Sequence, residues 1–68
     1  MNVIDVLNER INERGIPVSE LSRRVDMNDE LLRRSLANSR NLKAVEFVAL
    51  CQELELDIDD FADAKLGT

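Results

Sequence analysis

Apolar residues recur at helical spacing along almost the whole 68-residue chain, and only two glycines and one proline interrupt the pattern. Ile4, Leu7 and Ile11 repeat at i, i+3 and i+7, and Leu21 and Val25 repeat at i and i+4. This spacing is typical of amphipathic helices that bury one face. Because so short a chain has room for one hydrophobic core only, the sequence predicts a single all-α domain over residues 1–68.

Capping and breaking residues divide the pattern into five predicted helices. The first spans about residues 3–14, before Gly15, and the second spans about 17–25 because proline is tolerated in a first helical turn. Asn28 is a good N-cap for the third helix, which reaches about Ala37. Asn38 can end this helix because asparagine tolerates the left-handed conformation.

The fourth helix carries a broad apolar stripe from Ala44 to Leu54, and a short fifth helix begins at the cap residue Asp57. We expect the fifth helix to turn Ile58 and Phe61 inward. We also expect one shared core for four residues of the second, third and fourth helices: Leu21, Leu32, Phe47 and Val48.

The formal charge of −5 argues against nucleic acid at first, because phosphate contacts supply much of the affinity for DNA. The charge is unevenly distributed, however. Residues 23–43 contain six basic and three acidic side chains, a net charge of +3, whereas residues 1–22 carry −2 and residues 44–68 carry −6. Positive charge therefore collects in the middle third of the chain.

The third helix divides into two arcs when successive residues advance by about 100°. The core-facing arc holds Leu31, Leu32, Ser35 and Leu36. The outward arc surrounds Ala37 with charged residues: Asp29, Glu30, Arg33, Arg34 and Arg40. Arginine suits DNA because its planar fork pairs with guanine O6 and N7 or with phosphate, and an acid can accept from cytosine N4. Stabilisation of the helix dipole is an equally good explanation for the two acids.

Three segments together resemble the Cro/C1-type (XRE-like, lambda-repressor-like) helix-turn-helix family. They are Val18 to Ala37, Asn38-Ser39-Arg40-Asn41-Leu42, and Glu46-Phe47-Val48-Ala49-Leu50-Cys51. The match runs from about Leu7 to Phe61 without gaps. It implies a compact five-helix fold in which helices two and three form the helix-turn-helix and the third enters the DNA major groove.

The resemblance also assigns residue roles. It places Asn28, Asp29, Glu30, Arg33 and Arg34 at base-contacting positions. It places Val18, Arg40, Asn41 and Lys43 at backbone-contacting positions. The chain departs from the family at Asp26, where a glycine is usual, at Ser35, where a branched apolar residue is usual, and at Pro17 and Val18, where a Ser or Thr cap and a phosphate-binding Gln are frequent.

These features predict a sequence-specific double-stranded DNA-binding transcriptional regulator of the bacterial or prophage repressor type, acting as a homodimer on DNA. We expect the pairing surface near Leu54, Leu56 and Leu66. The alternative is a protein-interaction module, antitoxin-like or an adaptor subunit, that uses the acidic face between Glu53 and Asp63.

Other functional classes find less support in the sequence. No histidine is present to activate Cys51 or to complete a zinc site, and no phosphate-cradling loop appears. We therefore expect no enzyme activity, no cofactor and no metal. No apolar run approaches the roughly 20 residues that span a bilayer, and the N-terminus lacks a basic signal region, so we expect a cytoplasmic protein without membrane contact.

Overall fold

The computed structural model describes residues 2–62 and residue 64. Four α-helices follow one another: α1 (Val3–Arg14), α2 (Val18–Arg24), α3 (Asp29–Leu36) and α4 (Ala44–Leu54). The all-α prediction is confirmed. The predicted fifth helix is wrong as an α-helix, because a single 3-10 turn over Ile58–Phe61 stands in its place. The Cα radius of gyration of 10.9 Å is that of a compact chain of this length.

The predicted helix ends are confirmed at three positions. Gly15 ends α1 with φ at 66°, and Asn38 follows α3 with φ at 62°, both in the left-handed region. The Asn28 side chain caps α3 by accepting from the backbone N–H groups of Glu30 and Leu31 at 2.9 and 3.2 Å. These helix ends depend on neighbouring residues only, so the sequence predicts them.

Asp26 closes the short connection between α2 and α3 with φ at 57°. A glycine is usual at such a position because it has no side chain to clash, and aspartate is one of the few other residues that adopt this conformation readily. The N–H of Met27 then donates to the Ser22 carbonyl at 2.9 Å. The chain therefore makes a tight turn between the two helices despite the absence of glycine.

Leucines from all four helices form the core. Leu7, Leu21, Leu32, Leu50 and Leu54 are fully buried. Helix α1 contacts α3, α4 and the 3-10 turn, while α2 packs on α3. These leucines belong to one core, which fixes α3 from its inner side.

Three predicted core positions are wrong. Val48 is 52% exposed because it lies two residues, or about 200°, from the inward-facing Leu50 on α4. Ile58 is 86% exposed in the 3-10 turn, and Leu31, at the edge of the predicted core arc, is 37% exposed. The inward positions of Phe47 and Phe61 are confirmed, since their rings pack together with centroids 5.2 Å apart.

Two polar side chains of α1 bind the carboxyl ends of other helices. The Asn8 side-chain amide donates to the Leu36 carbonyl at 3.0 Å, at the end of α3. Arg10 Nη1 donates to the carbonyls of Leu54 and Glu55 at 3.0 and 3.3 Å, at the end of α4. These bonds satisfy carbonyls that a helix leaves unpaired at its end, and they hold α3 and α4 against the same helix.

Candidate nucleic-acid interface

Helix α3 carries four of the predicted base-contacting residues on one exposed face. Its inner side is fixed by Leu32 and Ser35, which are both fully buried. On the outer side Arg33 and Arg34 keep 55% and 60% of their side-chain surface, and Asp29 and Glu30 lie one turn before them. The structure therefore presents two arginines and two acids together on a helix that is anchored from behind.

Each of these arginines is paired with the acid four residues earlier. Arg33 Nε donates to Asp29 Oδ2 at 2.9 Å, and Arg34 Nε lies 3.4 Å from Glu30 Oε1. Residues four apart are neighbours on a helix surface, so both pairs form along α3 without help from other elements. The outer face of α3 consequently carries two positive and two negative charges and no net charge.

Asn28 lies next to this face, but its side-chain oxygen is occupied by the two N–H groups that it caps. Its contact with a base stays a prediction, and only the amide nitrogen is left for it. An amide nitrogen donates and does not accept, so it would find its partner in an acceptor such as guanine O6 or thymine O4.

Arg40 lies in a different environment, with only 19% of its side chain exposed. Its two terminal nitrogens donate to both carboxylate oxygens of Glu46 at 3.1 Å, and Nη1 also donates to Ser35 Oγ at 2.9 Å. A bidentate pair of this kind is among the stronger hydrogen-bonded arrangements in proteins. The predicted contact of Arg40 with DNA phosphate stays a prediction, and it requires the guanidinium to leave Glu46.

Ser35 occupies a position where the family resemblance predicts a branched apolar residue, and its hydroxyl group explains the difference. Ser35 Oγ donates to the Leu31 carbonyl at 3.0 Å while it accepts from Arg40, so the buried oxygen is satisfied twice. Sequence reasoning missed this role. The signal was a lone hydroxyl on an otherwise apolar arc, with an arginine five residues later and a glutamate eleven residues later.

Glu46 joins this cluster to the start of α4. The hydrogen bonds from Arg40 lower the pKa of the Glu46 carboxyl below its usual value of 4.5, and the backbone N–H of Lys43 adds to the effect at 2.9 Å. The carboxylate thus closes the first turn of α4 and holds Arg40. We call Ser35, Arg40 and Glu46 the junction cluster.

The other predicted backbone-contacting residues lie at helix starts and in the loop before α4. Val18 is the first residue of α2, and its side chain packs against the core. Asn41 and Lys43 are exposed on either side of Leu42. Lys43 makes no ion pair within residues 2–62, which leaves its ammonium group available to a phosphate.

The arginines of the basic segment are compensated by acids in the fold. Arg23 and Arg24 both pair with Glu20, whose pKa is lowered, first by the hydrogen bond from Arg24. Arg24 also reaches Glu53 on α4 at 3.4 Å. Together with the pairs on α3 and in the junction cluster, this leaves Lys43 as the cation of residues 23–43 that has no ion-pair partner among the described residues. The net charge of +3 in the sequence is therefore not a free positive surface.

Comparison with known proteins returned no match, whether by family model, among curated proteins or among solved structures. Within the described ranges, no group of three or more His, Cys, Asp or Glu side chains is arranged to hold a metal ion. None of the described helices combines the length and the apolar content that crossing a membrane requires.

Proposed function

We propose that this chain is a sequence-specific double-stranded DNA-binding transcriptional regulator of the repressor type, in which α2 and α3 form a helix-turn-helix. One observation carries the proposal: a short helix, fixed from behind by buried Leu32 and Ser35, presents two half-exposed arginines on its outer face. Arginine is the side chain that most often reads guanine in the major groove. Such a regulator needs no catalytic group and acts in the cytoplasm.

The dimensions of α3 support this placement. A helix with its side chains is about 10–12 Å across, and the major groove of B-DNA is about 12 Å wide. The tight turn at Asp26 sets α2 against α3. In the proposed complex α2 crosses the DNA backbone while α3 enters the groove. Lys43, exposed just before α4, is the cation best placed to hold a phosphate beside it.

The proposal includes a second copy of the chain, because one short recognition helix reads few base pairs. The pairing surface expected at Leu54 and Leu56 is wrong, since both side chains are buried, and Leu66 lies outside the described residues. The exposed apolar residues of α4 are Val45 and Val48, on its outer side.

We place the second copy on this outer side of α4. Val45 and Val48 carry no charge, so two chains of net charge −5 can approach there with the least repulsion.

A second candidate function is a protein-interaction module, and Ile58 is the observation that favours it. This side chain is 86% exposed between Asp57 and Asp59. An exposed apolar residue among acids suits a partner with a basic, partly apolar surface. Substitution of Ile58 by serine would abolish such binding and leave DNA binding intact.

Selection of duplexes from a random pool at low salt tests the DNA proposal. Once a target is found, Arg33→Ala is expected to weaken binding by roughly 1–3 kcal/mol and to flatten the preference at one base pair. Lys43→Ala is expected to weaken binding to every duplex alike and to lower the slope of log K against log salt by about 0.9 for each Lys43 that contacts a phosphate. Failure to enrich any duplex, or indifference to both changes, would contradict the proposal and favour a protein partner.

A further inference from the structure

Both arginines on the outer face of α3 have Nε next to an acid, Arg33 in a hydrogen bond of 2.9 Å and Arg34 in an ion pair at 3.4 Å. The acid one turn earlier takes the Nε edge of the guanidinium, at Asp29 Oδ2 for Arg33 and at Glu30 Oε1 for Arg34. Among the described residues, no hydrogen bond involves Nη1 or Nη2 of either arginine. The two terminal nitrogens of each guanidinium are therefore available to another partner.

This arrangement restricts how the arginines can meet a base. A guanidinium can pair with guanine O6 and N7 through its two terminal nitrogens or through Nε and one terminal nitrogen. The acids occupy the edge that contains Nε, so the two terminal nitrogens remain for the base. A side chain that is held at Nε also has fewer conformations to lose when it binds, so less affinity is spent on ordering it.

The carboxylate of Asp29 is itself poorly placed to read a base. Its Oδ2 accepts from Arg33, and its Oδ1 is shielded from solvent and has no hydrogen-bond donor among the described residues. A shielded oxygen cannot accept from cytosine N4. This observation argues against the direct contact between Asp29 and a base that the sequence left open.

We propose that Asp29 and Glu30 are positioning residues that aim Arg33 and Arg34 at guanines, so the preferred duplex carries guanine at the two contacted positions. The inference rests on the proposed DNA-binding function. It also accounts for the absence of net charge on the outer face, because a carboxylate beside each arginine repels phosphate and lowers affinity for duplexes of unrelated sequence. The acids favour recognition of bases over attraction to the DNA backbone.

A double-mutant cycle tests this role, with dissociation constants measured on the selected duplex for the parent, Asp29→Asn, Arg33→Ala and the double variant. Arg33→Ala is expected to weaken binding roughly 5- to 150-fold. Asp29→Asn is expected to weaken it about two- to tenfold in the parent and to have no effect once Arg33 is absent. On an unrelated duplex, Asp29→Asn is expected to strengthen binding, so the ratio between the two affinities falls.

Asp59→Asn serves as the matched control, because it removes one negative charge from the exposed 3-10 turn, away from α3. It is expected to leave the affinity ratio unchanged. A loss from Asp29→Asn that is equally large without Arg33 would show direct base contact by the acid, and unchanged or tighter binding to the selected duplex would show a helix-stabilising role only. Either result overturns the inference while the DNA proposal stands, whereas a parent protein that binds no duplex overturns both.

Discussion

Two regions of the molecule use the same chemistry, an arginine paired with a carboxylate, in opposite surroundings. On the outer face of α3 the pairs are formed within one helix, and the four side chains keep between 46% and 66% of their surface. In the junction cluster the Arg40 and Glu46 side chains keep only 19% and 16% of their surface, and they connect the loop after α3 to the start of α4.

The surroundings of each pair determine whether its arginine is available to a ligand. An exposed pair within a helix stabilises it by only a few tenths of a kcal/mol, so the fold loses little when the arginine of such a pair contacts a ligand. A sheltered bidentate pair is different, because removing one partner leaves the other poorly solvated and without its hydrogen bonds. By this comparison Arg33 and Arg34 are available to a ligand, whereas Arg40 stabilises the fold.

The largest expected effect is on the junction cluster. Arg40→Ala should lower the free energy of unfolding by about 1–3 kcal/mol, because Glu46 and Ser35 lose their charged donor. Urea denaturation of the variant beside the parent measures this loss. If Arg40→Ala unfolds at the same urea concentration as the parent, the two regions do not differ as we describe.

The second effect is a pH dependence that only the junction cluster should show strongly. The Arg40 hydrogen bonds lower the pKa of Glu46 in the folded state, so its contribution to stability is fully present above about pH 4.5 and is lost as the pH falls through the lowered pKa. Thermal melts between pH 7 and pH 3 should show a smaller acid-induced loss for Glu46→Gln than for the parent.

Glu55 is the comparison for that series. The hydrogen bond from Arg14 also lowers the pKa of Glu55, but this carboxylate is well exposed, so solvent weakens its contribution to stability. Glu55→Gln should therefore follow the acid-induced loss of the parent more closely than Glu46→Gln does. The reverse order would place the pH-sensitive pair at the end of α4.

The smallest effect is expected on the outer face of α3. Arg33→Ala should change the free energy of unfolding by no more than about 0.5 kcal/mol, because its pair with Asp29 is solvated. Calorimetry of the purified variant without DNA is the measurement. A destabilisation as large as that of Arg40→Ala would mean that Arg33 belongs to the fold and is not free to read bases.

The sequence predicted the helix ends well because each depends on a few neighbouring atoms. Asn28 caps the helix that follows it, and Gly15 and Asn38 adopt the left-handed conformation that their side chains tolerate. Asp26 does the same in the turn before α3. The same local chemistry predicted Asp57 as a cap, which it is, although the segment behind it forms one 3-10 turn only.

Features that depend on how the helices are placed could not be predicted in this way. The periodicity of α4 marks Val48 as apolar but does not show that Leu50 and Leu54 take the core, which leaves Val48 outside. Likewise, the sequence shows Arg40 as a cation of a basic segment, and only the fold brings Glu46 and Ser35 around it. Charge counted along a chain therefore overstates the charge available to a ligand.

The bonds from α1 to the ends of α3 and α4 also determine when the fold can be completed during synthesis. Asn8 hydrogen-bonds to a carbonyl 28 residues later in the chain, and Arg10 to carbonyls 44 and 45 residues later. At about 5–20 residues per second, the ribosome adds 44 residues in roughly two to nine seconds. Helix α1 is thus made before α3 and α4, but its contacts are complete only after the end of α4 has been synthesised.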